Sequence, residues 1–284
     1  MKERRQRWRR DQVDAIVSAL KIGKLPEGPF ARTSEGRIDL RGVEIKVPLA
    51  LEGFVAEGVD LSYASLGKLL CRRCVLADWI FDHSSVVLLN NGTEVSRSSF
   101  GNTRLTGSAS TGGARFVECV FHSTEIEGAI FKEAEFLKCD FGGCALKNIE
   151  FGTSALQKVR INGRLEKCFF RGELRECDFV NAVFFDCAFY GAEFTGCSIS
   201  DHALLFDNWR SAFQVIQEGS RSRSMSADSR QALEQMCRIW LKVSDYTKQE
   251  LIDRRDLQEA YGEEVANEVY AYLAEIKSAA KAVG

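Results

Sequence analysis

Cysteine and histidine are the residues with which this chain could hold a metal or carry out redox chemistry. The 284-residue sequence contains ten cysteines and three histidines. Cys71 and Cys74 form a single CxxC pair, and a zinc or redox site of this type needs further ligands. The histidines His83, His122 and His202 lie far apart along the chain. We therefore predict neither a metal site nor a cofactor.

Most of the cysteines share one position of a short repeat. Each of these lies two residues before an apolar repeat centre: Cys74, Cys119, Cys139, Cys144, Cys177, Cys187 and Cys197. A buried free cysteine behaves as a small hydrophobic residue. Because their spacing follows the repeat and not the geometry of a metal, we predict that these cysteines pack in a core.

The acidic residues show no catalytic pattern either. Glu125 and Glu133 fall on outward positions of the repeat, close to Lys132 and Lys138. Motifs of zinc proteases, phosphate loops, dinucleotide sites and nucleophile elbows do not occur in the sequence. We therefore predict that the protein is not an enzyme.

The repeat is clearest between residues 116 and 161, where every fifth residue is aromatic or aliphatic. These centres are Phe116, Phe121, Ile126, Phe131, Phe136, Phe141, Leu146, Phe151, Leu156 and Ile161. A helix has a period of 3.6 residues and a strand a period of two, so neither places a five-residue repeat on one face. A fixed short period is typical of a solenoid.

Four sides of five residues would give coils of twenty residues that rise about 4.8 Å each. We therefore expect stacking between residues twenty apart. The expected pairs are Phe116 with Phe136, Phe121 with Phe141, Cys119 with Cys139, Cys177 with Cys197, and Phe169 with Phe189. After Ile161 the spacing breaks by eight residues, and the centres resume at Phe169, Leu174, Phe179, Phe184, Phe189, Phe194 and Ile199. Before residue 116 the repeat is imperfect, with a slip at residues 47–53 and degenerate coils with a loop in residues 92–113.

Three segments carry a family resemblance: residues 134–138 (AEFLK), 139–143 (CDFGG) and 192–196 (AEFTG). They resemble the pentapeptide-repeat family, whose repeat is A-(D/N)-L-x-x with Phe or Leu at the centre. The resemblance covers residues 38–200 and implies a mainly β fold, a right-handed quadrilateral parallel β-helix of about eight coils. The family serves many unrelated roles. Some members protect DNA gyrase from quinolones by mimicking DNA, and they dimerise through C-terminal helices.

The segments on either side of the solenoid differ from it in composition. We predict that residues 1–37 form an N-terminal helix and linker that caps the solenoid, with an apolar stripe between Val13 and Leu20. Residues 201–284 are expected to form an all-α module, in which Thr247 and Glu250 open a helix that Gly262 ends. The candidate partner contact is basic and precedes the stripe: Arg4, Arg5, Arg7, Trp8, Arg9 and Arg10.

The net charge of −2 requires neither nucleic acid nor a membrane as partner, and no apolar run is long enough to span a bilayer. We predict a cytoplasmic, non-enzymatic protein-interaction scaffold whose helical module dimerises or binds a partner. One alternative is a DNA-mimicking modulator of gyrase, which the 22 acidic and 19 basic residues of 31–199 disfavour. Another is nucleic-acid binding through the basic N-terminus.

Overall fold

The computed structural model describes residues 8–26, 31–222, 224–242 and 247–283. It has three parts: an N-terminal helix, a parallel β-solenoid of about eight coils, and a C-terminal helical module. The predicted solenoid flanked by helices is therefore confirmed. Among the described residues, no helix is both long enough and apolar enough to cross a membrane.

The N-terminal helix α1 (Arg10–Lys21) lies against the first coils of the solenoid. Its predicted stripe provides the contact, because Ile16 and Leu20 are buried in the solenoid core. Gln12 accepts a hydrogen bond from the backbone N–H of Arg9 at 3.0 Å, which satisfies a donor at the helix start. The helix thus covers core that an open first coil would expose.

The described solenoid strands all pair in parallel within one continuous sheet. The first twelve are β1 (Ile38–Asp39), β2 (Glu44–Ile45), β3 (Leu49–Glu52), β4 (Val55–Asp60), β5 (Ser65–Arg72), β6 (Val75–Ile80), β7 (Ser85–Asn91), β8 (Glu94–Ser96), β9 (Arg104–Thr106), β10 (Ala109–Thr111), β11 (Arg115–Val117) and β12 (Glu125–Glu127). The others are β13 (Ile130–Phe131), β14 (Glu135–Leu137), β15 (Asp140–Lys147), β16 (Glu150–Thr153), β17 (Ala155–Gln157), β18 (Arg160–Glu166), β19 (Phe169–Arg175), β20 (Asp178–Phe179), β21 (Ala182–Phe185), β22 (Ala192–Thr195) and β23 (Ser198–Ile199).

The core consists of columns of like side chains, as the twenty-residue coil predicts. Phe116 is in register with Phe136, and their ring centroids are 4.9 Å apart. Phe121 and Phe141 stack at 4.5 Å. These separations match the spacing between neighbouring β-strands, because each strand brings one ring of the column. The two predicted stacks are confirmed.

The predicted stack of Phe169 on Phe189 is wrong by one residue. Phe170 is the buried centre and stacks on Phe189 at 5.1 Å, whereas Phe169 is half-buried on the outer side. Two sides of this coil have four residues, and each passes through a glycine. A Cβ on Gly163 would lie 2.2 Å from the carbonyl oxygen of Cys144, and one on Gly172 would lie 2.3 Å from that of Ser154. Both shortened sides therefore require glycine. The resulting change in spacing makes Phe170, and not the predicted Phe169, the repeat centre.

Residues 92–113 continue the coils through β8, β9 and β10 without a separate loop. The inward positions of this part are partly polar. Asn90 is buried in register with Ser110, and neither side-chain amide atom of Asn90 has a hydrogen-bond partner. The fivefold spacing is hard to recognise in this segment because such polar residues occupy sites that elsewhere hold phenylalanine.

The C-terminal module contains helices and a small sheet. The elements are β24 (Ala203–Phe206), α2 (Trp209–Ser222), α3 (Ala227–Leu241), β25 (Glu250–Asp253), α4 (Arg254–Tyr261) and α5 (Glu263–Val283). Its core surrounds Trp209, which is fully buried and packs its ring edge-on against Trp240 at 4.9 Å. This core is separate from that of the solenoid.

The prediction of an all-α module is wrong in one respect. Thr247 and Glu250 do not open a helix, because Glu250 begins β25, which pairs antiparallel with β24. Helix α4 begins later, at Arg254, where the side chain of Asp253 accepts a hydrogen bond from the backbone N–H of Arg255 at 2.9 Å. Gly262 ends this helix with a φ of 84°, as predicted. Tertiary pairing with β24 thus overrides the local helix signal.

Candidate binding site between the solenoid and the helical module

A buried ion pair fixes the helical module to the side of the solenoid. Arg255 donates to Asp253 at 2.6 Å and to the backbone carbonyl of Ala182 in β21, also at 2.6 Å. Asp253 in turn accepts a hydrogen bond from the backbone N–H of Phe184 at 3.2 Å. Because both charges are compensated and both reach the backbone of a coil, this pair sets the position of β25 and α4.

A second contact closes the edge of the last coils. The side-chain oxygen of Gln249 accepts from the backbone N–H of Phe194 at 2.5 Å, and its amide nitrogen donates to the carbonyl of the same residue at 3.4 Å. Gln249 thus pairs with the exposed strand edge as a neighbouring strand would. Lys248 forms an ion pair with Glu193 beside it.

A third contact combines an aromatic ring with charges. The guanidinium of Arg164 lies 3.6 Å from the ring centroid of Phe185, and it pairs with Glu259 of α4 at 3.1 Å. A guanidinium over an aromatic ring is attracted by the negative face of the ring. Phe185 is therefore part of the junction.

A cavity of about 500 Å³ lies where the last coils meet the module. The solenoid contributes Phe169, Cys187 and Tyr190, and α3, β25 and α4 provide the opposite wall. The residues from the module are Met236, Ile239, Trp240, Glu250, Leu251, Ile252, Asp256, Leu257, Ala260 and Tyr261. Neither part forms the cavity alone.

Glu250 is the unusual residue of this cavity. It is 6% exposed, and no basic side chain of the described residues pairs with it. Burial raises the pKa of its carboxyl from 4.5 to about 8, because the charged form loses its hydration. Burial also raises the pKa of Asp256 to about 6, although Asp256 accepts a hydrogen bond from the backbone N–H of Asp186 at 3.0 Å. The pKa of Tyr190 is raised by burial and by the charges of Glu250 and Asp186.

A concave, largely apolar wall with a few convergent polar groups is the usual form of a ligand-binding site. Titratable groups with strongly shifted pKa values are also concentrated at functional sites. The helix predicted to open at Thr247 and Glu250 gave no indication of this site. The available signal was an acid at the start of the apolar stretch Glu250–Ile252 (ELI).

The predicted basic contact lies at the other end of the solenoid. Arg4, Arg5 and Arg7 fall outside the described residues. Trp8 packs against the core, and its indole N–H donates to the backbone carbonyl of Arg41 at 2.9 Å. Arg9 and Arg10 are exposed, and Arg9 lies 3.4 Å from Asp11.

The predicted repeat centres, apart from Phe169, are buried and form the core of the solenoid. They are Phe116, Phe121, Ile126, Phe131, Phe136, Phe141, Phe179, Phe184, Phe189 and Phe194. Their side chains are used in packing, so the solenoid presents other residues to a partner.

Charged side chains on the outer faces pair from coil to coil. Lys138 and Glu118 are 3.0 Å apart, in the stacking that the twenty-residue coil predicts. Arg115 bridges Glu94 at 3.1 Å and Glu135 at 2.9 Å, and so spans three coils. Glu94, Glu118 and Glu135 therefore have local counter-charges.

The cysteines take the inward positions expected of them. All ten are free thiols, eight of them buried. Several donate to backbone carbonyls of the neighbouring coil, as Cys119 does to Val95 at 3.3 Å. Burial raises the pKa of Cys144 to about 12, which keeps its thiol protonated. Among the described residues, no group of three or more His, Cys, Asp or Glu side chains is arranged to hold a metal ion.

Comparison with known proteins supports the repeat assignment. The family model for pentapeptide repeats (8 copies) matches residues 169–201. The predicted resemblance is therefore confirmed, and the geometry described above carries the same coil from residue 38 onward. A search of curated protein sequences finds no match to the chain.

Two solved structures illustrate the likeness. A trypsin-treated form of QnrB1, a plasmid-mediated fluoroquinolone resistance protein, is 16% identical over 52% of this chain and 75% of its own, with a TM-score of 0.36. HetL, a pentapeptide repeat protein involved in heterocyst differentiation regulation from the cyanobacterium Nostoc sp. strain PCC 7120, is 15% identical. It covers 59% of this chain and 90% of its own, with a TM-score of 0.32.

Proposed function

We propose that this chain, which carries a pentapeptide-repeat solenoid, is a non-enzymatic protein-interaction scaffold that receives its partner at the cavity between solenoid and module. The observation that carries the proposal is the cavity itself. It combines aromatic walls with a buried acid that no basic side chain of the described residues pairs with, and two parts of the chain build it together.

The paired charges on the outer faces of the solenoid support the same proposal. A DNA mimic would need a face of uncompensated acids, whereas Glu94, Glu118 and Glu135 all have basic partners. We therefore rank the gyrase modulator second. Added protein should leave the supercoiling activity of gyrase unchanged, and inhibition at stoichiometric concentrations would reverse this ranking.

The basic N-terminus is the third alternative. Since Trp8 is anchored to the first coils, only the residues before it and the exposed Arg9 and Arg10 are left for a nucleic acid. We expect negligible nucleic-acid binding by the intact chain at all salt concentrations. Deletion of residues 2–7 should therefore change nothing. A steep loss of binding on deletion, with strong salt dependence, would support this alternative.

Photo-crosslinking tests the scaffold directly. A benzoyl-phenylalanine placed at Ile239, which is 52% exposed on the cavity wall, should crosslink to a partner in the cells that make the protein. The matched control is the same group at Val75, which is 38% exposed on β6. An adduct of two copies of this chain would identify the module as a dimer interface, which light scattering can check. Equal adducts at both positions, or none at Ile239, would contradict the proposal.

A further inference from the structure

The cavity has the walls of a site for an organic cation. Phe169 and Tyr190 come from the solenoid, and their rings meet edge to face at 5.0 Å. Trp240 and Tyr261 come from the module. Aromatic rings present a negative π face, so several of them around one space attract an ammonium or guanidinium group.

Glu250 adds a buried carboxyl for which the described residues offer no counter-ion. Lys167 also lines the cavity, but it forms no ion pair with Glu250. A buried carboxyl is normally paired or hydrogen-bonded, since isolation in an apolar environment is costly. The backbone N–H of Leu251 donates a hydrogen bond to this carboxyl, but no basic side chain of the described residues pairs with it. A cation bound in the cavity would therefore complete an interaction that the chain leaves open.

The junction already places two cations of the solenoid over aromatic rings. Arg164 lies over Phe185 and pairs with Glu259, and Arg171 lies 5.4 Å from the ring centroid of Phe169. The cavity has aromatic and carboxyl components as well, but among the described residues no guanidinium or ammonium group lies over Trp240, Tyr190 or Tyr261.

We propose that the cavity binds the guanidinium or ammonium group of an arginine or lysine side chain of a protein partner, with Glu250 as counter-ion and Trp240 and Tyr190 as walls. This rests on the proposed scaffold function for the source of the cation. An inorganic cation fits poorly, because Ca²⁺ and Mg²⁺ need about six oxygen ligands and most of this wall is apolar.

Titration with small probes tests the site without a partner. The tripeptide acetyl-Gly-Arg-Gly-amide should shift the indole N–H signal of Trp240 in the ¹⁵N-labelled full-length chain, and the neutral isostere with citrulline should need at least a tenfold higher concentration. Glu250→Gln keeps the shape and should weaken arginine binding at least tenfold. Glu125→Gln, on an exposed part of β12, should bind as the wild type does. Equal binding of citrulline, or unchanged binding by Glu250→Gln, would overturn the proposal.

Affinity should also rise between pH 6 and pH 9, as Glu250 ionises. The other charged or titratable groups at the cavity are Lys167, Asp186, Tyr190, Asp256 and Tyr261. Their contribution remains in Glu250→Gln, so the pH dependence of that variant is the control. A wild-type affinity that stays constant over this range would contradict the role of Glu250.

Two combinations of results distinguish the cation site from the scaffold function. If the tripeptide binds but Ile239 forms no crosslink, the cation site is supported and the proposed protein partner is contradicted. If crosslinks form but the tripeptide does not bind, the scaffold stands and the cation is wrong. Spermidine serves as a free amine, and binding a hundredfold tighter than that of acetyl-Gly-Arg-Gly-amide would overturn the assignment of the cation to a protein side chain.

Discussion

Polar groups have different surroundings in the solenoid and at its junction with the helical module. In the coils from residue 116 onward, phenylalanine columns fill the interior, and the charges outside form pairs such as Glu118 with Lys138. At the junction a cavity remains, and no basic side chain of the described residues pairs with Glu250 inside it. The two regions are adjacent in space but differ in how these carboxyl groups are compensated.

This difference follows from repetition. A repeated coil must solve one packing problem in the same way at every step, so its side chains are committed to their neighbours above and below. The module meets the solenoid once, and no repeat constrains that contact. Residues such as Trp240 and Glu250 can therefore be chosen for a ligand, at some cost in stability. In this protein, recognition is expected where the repeat ends.

The largest effect should come from breaking a column. Phe136 touches rings in its own coil and in both neighbouring coils, so Phe136→Ala should lower the free energy of unfolding by about 3–5 kcal/mol. Urea unfolding followed by circular dichroism measures this. Ile130→Ala, at a site that is 45% exposed, is the control and should cost less than about 0.5 kcal/mol. Equal losses for both variants would mean that the columns do not hold the coils.

The next effect should come from Glu250 and has the opposite sign. Its carboxyl ionises near pH 4.5 in the unfolded chain and at about pH 8 in the folded one. Between these values the folded state holds more protons, so stability falls as the pH rises. Glu250→Gln cannot ionise, and it should stabilise the protein by about 3 kcal/mol at pH 7, by up to about 5 kcal/mol at pH 9 and by little at pH 4.

Chemical denaturation at these pH values measures this difference. Asp256 also has a raised pKa, but it remains in the variant and therefore cancels. Glu125→Gln on the solenoid is the matched control and should leave stability unchanged at each of them. A gain for Glu250→Gln that is the same at pH 4 and pH 9 would show that ionisation is not its cause.

A smaller effect tests whether the solenoid has weak positions of its own. Asn90 is buried with both amide atoms unsatisfied, so Asn90→Leu should stabilise the protein by about 1–2 kcal/mol. Thermal unfolding checks this. Asn90→Ala removes the amide but leaves a space, and it should bring no gain. If Asn90→Leu were destabilising, an ordered water satisfying the amide would be the reason, and Asn90 would not be a weak position of the solenoid.

The smallest effect should come from an outer pair. Glu118→Gln removes an ion pair between side chains that are about half exposed, so the loss should stay below about 0.5 kcal/mol and vanish in 1 M salt. Urea unfolding at low and high salt measures it. A loss above 1 kcal/mol would contradict this expectation and show that ion pairs on the outer faces stabilise the solenoid substantially.

The sequence predicts the solenoid well because its signal is local and repeated. Phe116 and Phe136 could be matched by counting twenty residues, and their stacking is confirmed. Phe169 could not be placed, since the two shortened sides depend on close contacts of Gly163 and Gly172 with the neighbouring coil. Gly163 lies within the eight-residue break and Gly172 lies after it, so no single spacing in the sequence reveals both contacts.

The junction could not be predicted in the same way. Glu250 lies in β25 only because β24, about 45 residues earlier in the chain, pairs with it. Tyr190 and Trp240 meet across one cavity although each belongs to a different core pattern. Local propensity gives no information on such pairings, which tertiary structure alone creates.

The four-sided coil also determines the direction in which the junction cavity faces. Each five-residue side turns the chain by a quarter of a revolution, so the number of sides between α1 and the module fixes their angle about the solenoid axis. Adding one side would rotate the module by about 90°, whereas adding a whole coil would move it about 4.8 Å along the axis at the same angle. The short sides at Gly163 and Gly172 preserve this angle, because they change the length of a side and not the number of sides. Solenoids of this kind can therefore lengthen by whole coils and still present their binding site in the same orientation.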